Sequence, residues 1–244
     1  MLSDFNCKIF NPDRLRFLNT FDYPLDSVIT KINSDMITLD YMGFHRLICQ
    51  VLHDENLPIN RTFNKIDNLE RFIKQSTGRA ARRKFNVTVL PAVHLSANAP
   101  YIPNISALTA CGTNYIIAEL PISVTYPEYL DSTINKILYN CRLHPIFTEF
   151  ETFATIHSGT EYVEKMINIK NSAFVFCLNS NNFASNVGLI RRIYGNGNTV
   201  LFATGCEHDV FNIKRINQNI TLLKERLPES TYLDIMLKAH RFLR

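Results

Sequence analysis

Polar side chains that can bind metals or transfer protons recur where short apolar runs of this sequence end. The run Val200 to Ala203 is followed by Gly205 to Asp209, a segment rich in acidic and imidazole groups. Carboxylates and imidazoles bind divalent metal ions and serve as general acids and bases. The candidates for one polar cleft are therefore the residues at or just after such runs: Leu52, His53, Asp54, Glu55, His94, Glu119, Glu149, Glu151, Asn179, Ser180, Asn181, Glu207, His208 and Asp209.

The apolar runs that precede these residues predict β-strands. They are rich in β-branched and aromatic residues, which favour strands. Their continuous apolar character, without alternation, predicts strands covered on both faces, as in a parallel sheet. The predicted strands are Cys7 to Phe10, Arg46 to Val51, Val87 to His94, Tyr115 to Leu120, Pro145 to Thr148, Ala173 to Leu178 and Val200 to Ala203.

Stretches with helical spacing separate these runs. In two of them the apolar residues share one helix face: Leu69, Phe72 and Ile73 in the first, and Leu130, Ile134, Ile137 and Leu138 in the second. Alternating strands and helices predict an α/β fold, namely a single distorted (β/α)7 TIM-like barrel, with residues 1–244 as one domain. Active sites of such barrels lie at the carboxyl ends of the strands, so the candidate residues would meet at one face.

The order of the motifs resembles the PHP (polymerase and histidinol phosphatase) superfamily, and within it the metal-dependent tyrosine phosphatases of bacterial capsule and exopolysaccharide systems. NYIIAELPISVTYPEYLDSTINKILYNCRLHPIFTEFE is similar to the family's YLLIEFP strand, the helix after it and PVIAHPER. FVFCLNSNN resembles QVNSSS, and LFATGCEHD resembles FVASDAHN. Upstream, MGFHRLICQVLHDE and TVLPAVHLSA resemble GITTIVATPHH and VLPGAEIR. The resemblance runs in order from about Asp26 to His208, although no single motif is intact.

This resemblance implies a cluster of metal ions, often manganese, held by side chains from successive strand ends. Such ions polarise phosphate oxygens and supply a hydroxide. Glu119 stands where the family has a metal-bridging glutamate, and His208 fits the histidine of the last motif. His94 replaces a glutamate and Glu149 replaces a histidine. The implied metal ligands are thus these four residues, and no catalytic nucleophile is assigned; near the cleft would lie His53, Glu151, Asn179, Glu207 and Asp209.

The sequence also departs from the family at positions that the chemistry needs. The first 44 residues contain no histidine, although the family opens with an H-x-H motif. The ligand position of the PHH motif falls on Leu52. The aspartate of SDAH falls on Gly205 or Cys206, unless a one-residue insertion brings Glu207 into use. Thr152 replaces an arginine that contacts phosphate. The loss of so many ligands predicts no tight multinuclear site, and at most one weakly bound, manganese-like divalent ion.

Composition excludes several other classes. The 244 residues are 46% hydrophobic and carry a net charge of +4, as in an ordinary globular protein. The basic segment Arg79 to Lys84 is short and lacks interleaved aromatics, so we expect no nucleic-acid partner. No apolar run reaches the roughly 18 residues of a membrane span, and the N-terminal MLSDFNCKIF lacks signal-peptide order. The cysteines are scattered, and Cys49 and Cys177 fall inside apolar runs as expected of free thiols, so we predict a reduced, cytoplasmic protein.

Two function classes stay open. The first is a degenerate phosphatase, a pseudophosphatase that keeps the barrel and binds or regulates a partner in a polysaccharide system. The partner implied by the resemblance is a tyrosine kinase of that system or its phosphorylated tail. The second is a divergent metal-dependent phosphoesterase with a rearranged site of His94, Glu119, Glu149 and His208. The missing H-x-H, Leu52 and Thr152 favour the first class, whereas Glu and His at four strand ends favour the second.

Overall fold

The computed structural model describes residues 2–5, 25–77, 85–205 and 212–243. Seven parallel strands form one sheet in which each strand pairs with the next along the chain. These strands are β1 (Leu2–Asp4), β2 (Phe44–Leu52), β3 (Asn86–His94), β4 (Tyr115–Glu119), β5 (His144–Thr148), β6 (Ala173–Cys177) and β7 (Thr199–Ala203).

Helices fill the connections between the strands. They are α1 (Leu25–Tyr41), α2 (Ile59–Ser76), α3 (Leu130–Asn135), α4 (Phe150–Ile156), α5 (Glu161–Ile167), α6 (Phe183–Gly195), α7 (Ile213–Arg226) and α8 (Glu229–Arg241). Short 3₁₀ turns at Ala99–Tyr101, Ile105–Leu108 and Ala110–Gly112 precede β4, and a π turn at Lys136–Asn140 extends α3. Within the described ranges, no helix combines the length and the apolar character that a membrane crossing requires.

The sheet nearly closes into a barrel where β1 meets β7. The backbone N–H of Phe5 donates to the carbonyl of Phe202 at 2.9 Å. Just beyond the two strands, the buried carboxylate of Asp4 accepts the backbone N–H of Thr204 at 3.0 Å and also the Thr204 hydroxyl. These bonds give β1 a partner on its second side. The predicted α/β barrel of seven strands is therefore confirmed.

Six of the predicted strands agree with the observed ones to within two residues, and the first does not. β1 is Leu2–Asp4, whereas the predicted strand Cys7 to Phe10 lies outside the described residues. Leu2, Ser3 and Asp4 form too short a run, with too polar an end, to read as a strand. The two predicted helix faces are correct: Leu69, Ile73, Leu130, Ile134 and Ile137 are buried, and Phe72 and Leu138 are partly buried. That all of residues 1–244 form one domain stays a prediction.

Alternate residues of each strand face the inside of the barrel. Interior positions form one small buried cluster, and the positions between them join the larger cluster under the helices. This two-sided burial explains why the strand sequences are apolar throughout. The interior cluster includes Ile48, Leu90, Ala92, Ile117, Ile146, Val175 and Leu201.

The chain after α8 closes the amino end of the barrel. The ring of Phe242 lies 4.8 Å from that of Tyr115, at the start of β4, and 5.9 Å from that of Phe5. The buried Arg46 guanidinium donates to the carbonyls of Phe242 at 2.6 Å and Leu243 at 2.8 Å. Because this end is filled, a ligand would enter from the carboxyl ends of the strands, which we call the mouth of the barrel.

The cysteines differ from the prediction at one position. Cys49, Cys111 and Cys141 are free thiols. Cys177, the last residue of β6, is disulfide-bonded, so the expectation of a free thiol there is wrong. Its place in an apolar run indicated a buried side chain but not its covalent state.

Candidate functional site

A row of three polar residues crosses the mouth on neighbouring strands. Strand register pairs His94 at the end of β3 with Glu119 at the end of β4, and Glu119 with Thr148 at the end of β5. Directly below this row, Ala92, Ile117 and Ile146 are paired in the same way and belong to the interior cluster. Because side chains two residues apart share a face, the polar row also faces the barrel interior. We call His94, Glu119 and Thr148 the polar row.

His94 and Glu119 interact directly. Nδ1 of His94 lies 3.5 Å from Oε1 of Glu119, and the two side chains are 40% and 32% exposed. The hydrogen bond to Glu119 raises the pKa of His94, partial burial opposes it, and the charges of Glu119 and Glu55 add to the increase. The pair can therefore hold a proton between an imidazole and a carboxylate at the entrance to the barrel.

Thr148 is a site feature that the sequence did not reveal. Its side chain is 2% exposed, and its hydroxyl has no hydrogen-bond partner in the part of the chain that the structure describes. A buried hydroxyl without a partner is costly. A threonine at the end of an apolar strand reads as an ordinary strand residue. Only the register with Glu119 distinguishes it.

Glu55 reaches the same region from the loop after β2. Its carboxylate accepts the hydroxyl of Ser96, two residues beyond His94, and the carbonyl of Ser96 accepts the hydroxyl of Thr133 on α3 at 3.2 Å. These bonds tie the loops after β2 and β3 to one helix. Glu55 was one of many polar residues at strand ends, and nothing in its spacing predicted that it would bond to Ser96.

His53 has a different environment from the one that a metal ligand at the mouth would need. Its ring is buried, and Nδ1 lies 2.7 Å from the hydroxyl of Thr62 on α2. Burial lowers the pKa of His53, although Asp54 and Glu55 act in the opposite direction. Leu52 lies four residues after Ile48 on β2, so its side chain also faces the barrel interior. It is paired with Ala92 on β3. The residue that faces the mouth from β2 is thus the leucine.

The predicted residues after β5 and β6 form hydrogen bonds with neighbouring segments of the chain. Glu149 has a left-handed backbone with φ 58°, and its Oε2 accepts the Thr152 hydroxyl at 3.4 Å. Glu151 accepts the backbone N–H of Cys177 at 3.1 Å. Buried Asn179 accepts the backbone N–H at residue 212 at 3.1 Å, and its carbonyl accepts Arg215 at 3.0 Å. Arg215 is a cation at the start of α7 that sequence reasoning did not single out.

The remaining predicted residues, Glu207, His208 and Asp209, lie outside the described residues. Among the residues that the structure does describe, no group of three or more His, Cys, Asp or Glu side chains could hold a metal ion. The polar row supplies two such donors, His94 and Glu119, and these face each other. The described donors therefore do not fit a multinuclear metal cluster, and the four-ligand site with Glu149 and His208 stays a prediction.

Comparison with known proteins supports the fold. No family model matches this chain, and no curated protein matches it. The structure is similar to a solved chain from work on YwqE of Bacillus subtilis and CpsB of Streptococcus pneumoniae, described as unique metal-dependent tyrosine phosphatases. The TM-score is 0.66 over 100% of this chain and 94% of that chain, at 13% sequence identity. The chain thus has the fold of these phosphatases, and the resemblance predicted from the order of its motifs is confirmed at the level of fold.

Proposed function

We propose that this protein is a phosphatase-like PHP barrel that has lost most of its catalytic capacity and binds or regulates a partner in a capsular or exopolysaccharide system. The observation that carries the proposal is the state of the polar groups at the mouth. His94 and Glu119 contact each other, His53 contacts Thr62, and Glu151 contacts the backbone of β6. Each of these side chains contacts another group of the protein, and the four do not converge on one position.

Metal-dependent phosphate hydrolysis needs several donors for each ion, with positions left open for water and substrate. It also benefits from an arginine, which binds phosphate through two parallel hydrogen bonds. Thr152, at the position of the family's arginine, instead donates its hydroxyl to Glu149. We infer that any metal is single, weakly bound and manganese-like, and that phosphatase activity is absent or very low.

A second candidate is a divergent metal-dependent phosphoesterase, a phosphoric monoester hydrolase with a rearranged site. The contact between His94 and Glu119 at neighbouring strand ends favours it, because an imidazole and a carboxylate at that place are suitable ligands. In this version Glu149 and His208 would complete the ligand set.

The proposed partner is the tyrosine kinase of such a system, or its phosphorylated tail, with no role for nucleic acid. The proposed location is the cytoplasm.

Hydrolysis of a phosphotyrosine peptide with added manganese separates the two candidates. We expect no rate above background, and no change in Glu119→Ala or His208→Ala. Manganese-dependent hydrolysis that either substitution abolishes would establish the divergent enzyme and refute the degenerate one.

A further inference from the structure

The loops at the mouth carry an excess of negative charge on the side of β2 to β5. Asp54, Glu55, Glu119 and Glu149 lie at or just after these strands, and the imidazole of His94 lies beside Glu119. The basic residues Lys214 and Arg215 lie across the mouth, at the start of α7. An excess of carboxylates on one side of the mouth favours a positive ligand there and disfavours a phosphate dianion.

The orphan hydroxyl of Thr148 is an independent sign of a ligand position. It is buried and faces the interior beside Glu119, on a strand about 4.8 Å away. A buried hydroxyl is rarely left without a partner. The Thr148 oxygen and the carboxylate of Glu119 thus provide two acceptors on neighbouring strands for an N–H donor.

Two exposed apolar side chains lie at the same end of the barrel as these acceptors. Leu52 faces the barrel interior next to Ala92, yet it is 43% exposed, so the mouth is open to one residue layer below His94. Ile122, three residues after Glu119, is 50% exposed. A ligand with a charged end and a short hydrocarbon stem would bury these exposed side chains as its charge reaches the polar row.

We propose that the mouth of the barrel binds a primary alkylammonium group, which donates to Glu119 and Thr148 while its hydrocarbon stem contacts Leu52. A lysine side chain of a protein and a free alkyl amine share this chemistry. The inference rests on the proposed function in one respect, the lack of a metal cluster, because two or three divalent cations would reverse the charge of the mouth.

Calorimetric titration of the full chain, freed of metal with a chelator, tests the inference. The probes are Nα-acetyl-lysine N-methylamide, its uncharged norleucine analogue, n-butylammonium and phosphotyrosine. We expect the lysine and butylammonium probes to bind more tightly than the other two. A lysine probe that is tighter than butylammonium indicates a protein side chain as the natural source, and the reverse order indicates a free amine.

Three variants locate the binding site. Glu119→Gln should weaken binding of the lysine probe by about tenfold, since it removes a charged hydrogen bond, and Thr148→Val by about threefold. Glu225→Gln, on the exposed face of α7, removes the same charge elsewhere and should leave binding unchanged. Circular dichroism of each variant establishes that it is folded.

Equal binding of the lysine and norleucine probes, tighter binding of phosphotyrosine, or equal binding to wild type and Glu119→Gln would overturn the inference. A separate titration with manganese distinguishes its failure from that of the proposed function. If manganese does not bind as a cluster and the ammonium probes do not bind either, this inference alone fails. If two or more manganese ions bind per chain and phosphotyrosine is hydrolysed, the proposed function fails.

Discussion

The bond between Asp4 and Thr204 should be the most sensitive polar contact in the closure of the barrel. Both side chains are buried, and the Asp4 carboxylate accepts the backbone N–H and the hydroxyl of Thr204. Asp4→Ala removes both bonds and leaves the buried N–H without its acceptor. Hydrogen bonds to a charged group are worth about 1.5–3 kcal/mol, so we expect a loss of about 3–4 kcal/mol in the free energy of unfolding.

Urea denaturation followed by circular dichroism measures this loss. The matched control is Asp67→Ala on the exposed face of α2, which should change stability by less than about 0.5 kcal/mol. Thr204→Val and the double variant complete a cycle, and we expect the two changes to be strongly non-additive. If Asp4→Ala costs no more than Asp67→Ala, then the β1–β7 junction is not held in this way and our account of barrel closure is wrong.

Three further predictions concern the mouth and the amino end. The pKa of His94 should lie above its ordinary value, and Glu119→Gln should lower it, as measured by NMR titration of the imidazole. Since the folded pKa is the higher one, the stabilisation from this pair should be complete below the unfolded value of about 6.5 and should be lost as pH rises through the folded pKa. Thr62→Val should cost about 1 kcal/mol in chemical denaturation, because it removes the partner of buried His53, without changing binding of the lysine probe. Phe242→Ala should cost about 1–2 kcal/mol and lower the thermal midpoint, because it removes the contacts of a partly buried ring with Tyr115 and Phe5 at the amino end of the barrel. The last two are refuted by variants as stable as the wild type, and the first by an unchanged His94 titration in Glu119→Gln.

Most strands and helices could be predicted from the sequence because they depend on the spacing of apolar residues over short segments. The run Val87 to His94 is apolar and β-branched, and it became β3 with its end at His94 as predicted. The amphipathic spacing of α2 likewise fixed which face is buried. β1 was missed because both of its partners lie far along the chain: it pairs with β2, and Asp4 accepts a hydrogen bond from Thr204, 200 residues away. A contact of that range leaves no periodic signal in a strand of three residues.

The candidate site could be predicted only in part, because its contacts join residues that are distant in the sequence. A carboxylate at the end of an apolar strand is costly unless it is paired, which singled out Glu119 from the sequence. His94 was also named from the sequence, but its direct contact with Glu119 and the unpartnered hydroxyl of Thr148 emerged only from the structure. His53 was adjacent to the right strand end, but the direction of its side chain was set by Thr62 on α2. Sequence therefore located strand ends, whereas the register and the helices determined which side chains meet.

The number of manganese ions that the protein binds tests the central claim most directly. Protein purified without chelator would be dialysed against manganese, and the bound metal per chain measured by elemental analysis at increasing free concentrations. The account predicts at most one ion per chain, lost readily on dialysis into metal-free buffer. Two or three ions that survive that dialysis would contradict it, because a cluster of that kind needs ligands that a degenerate mouth would not supply.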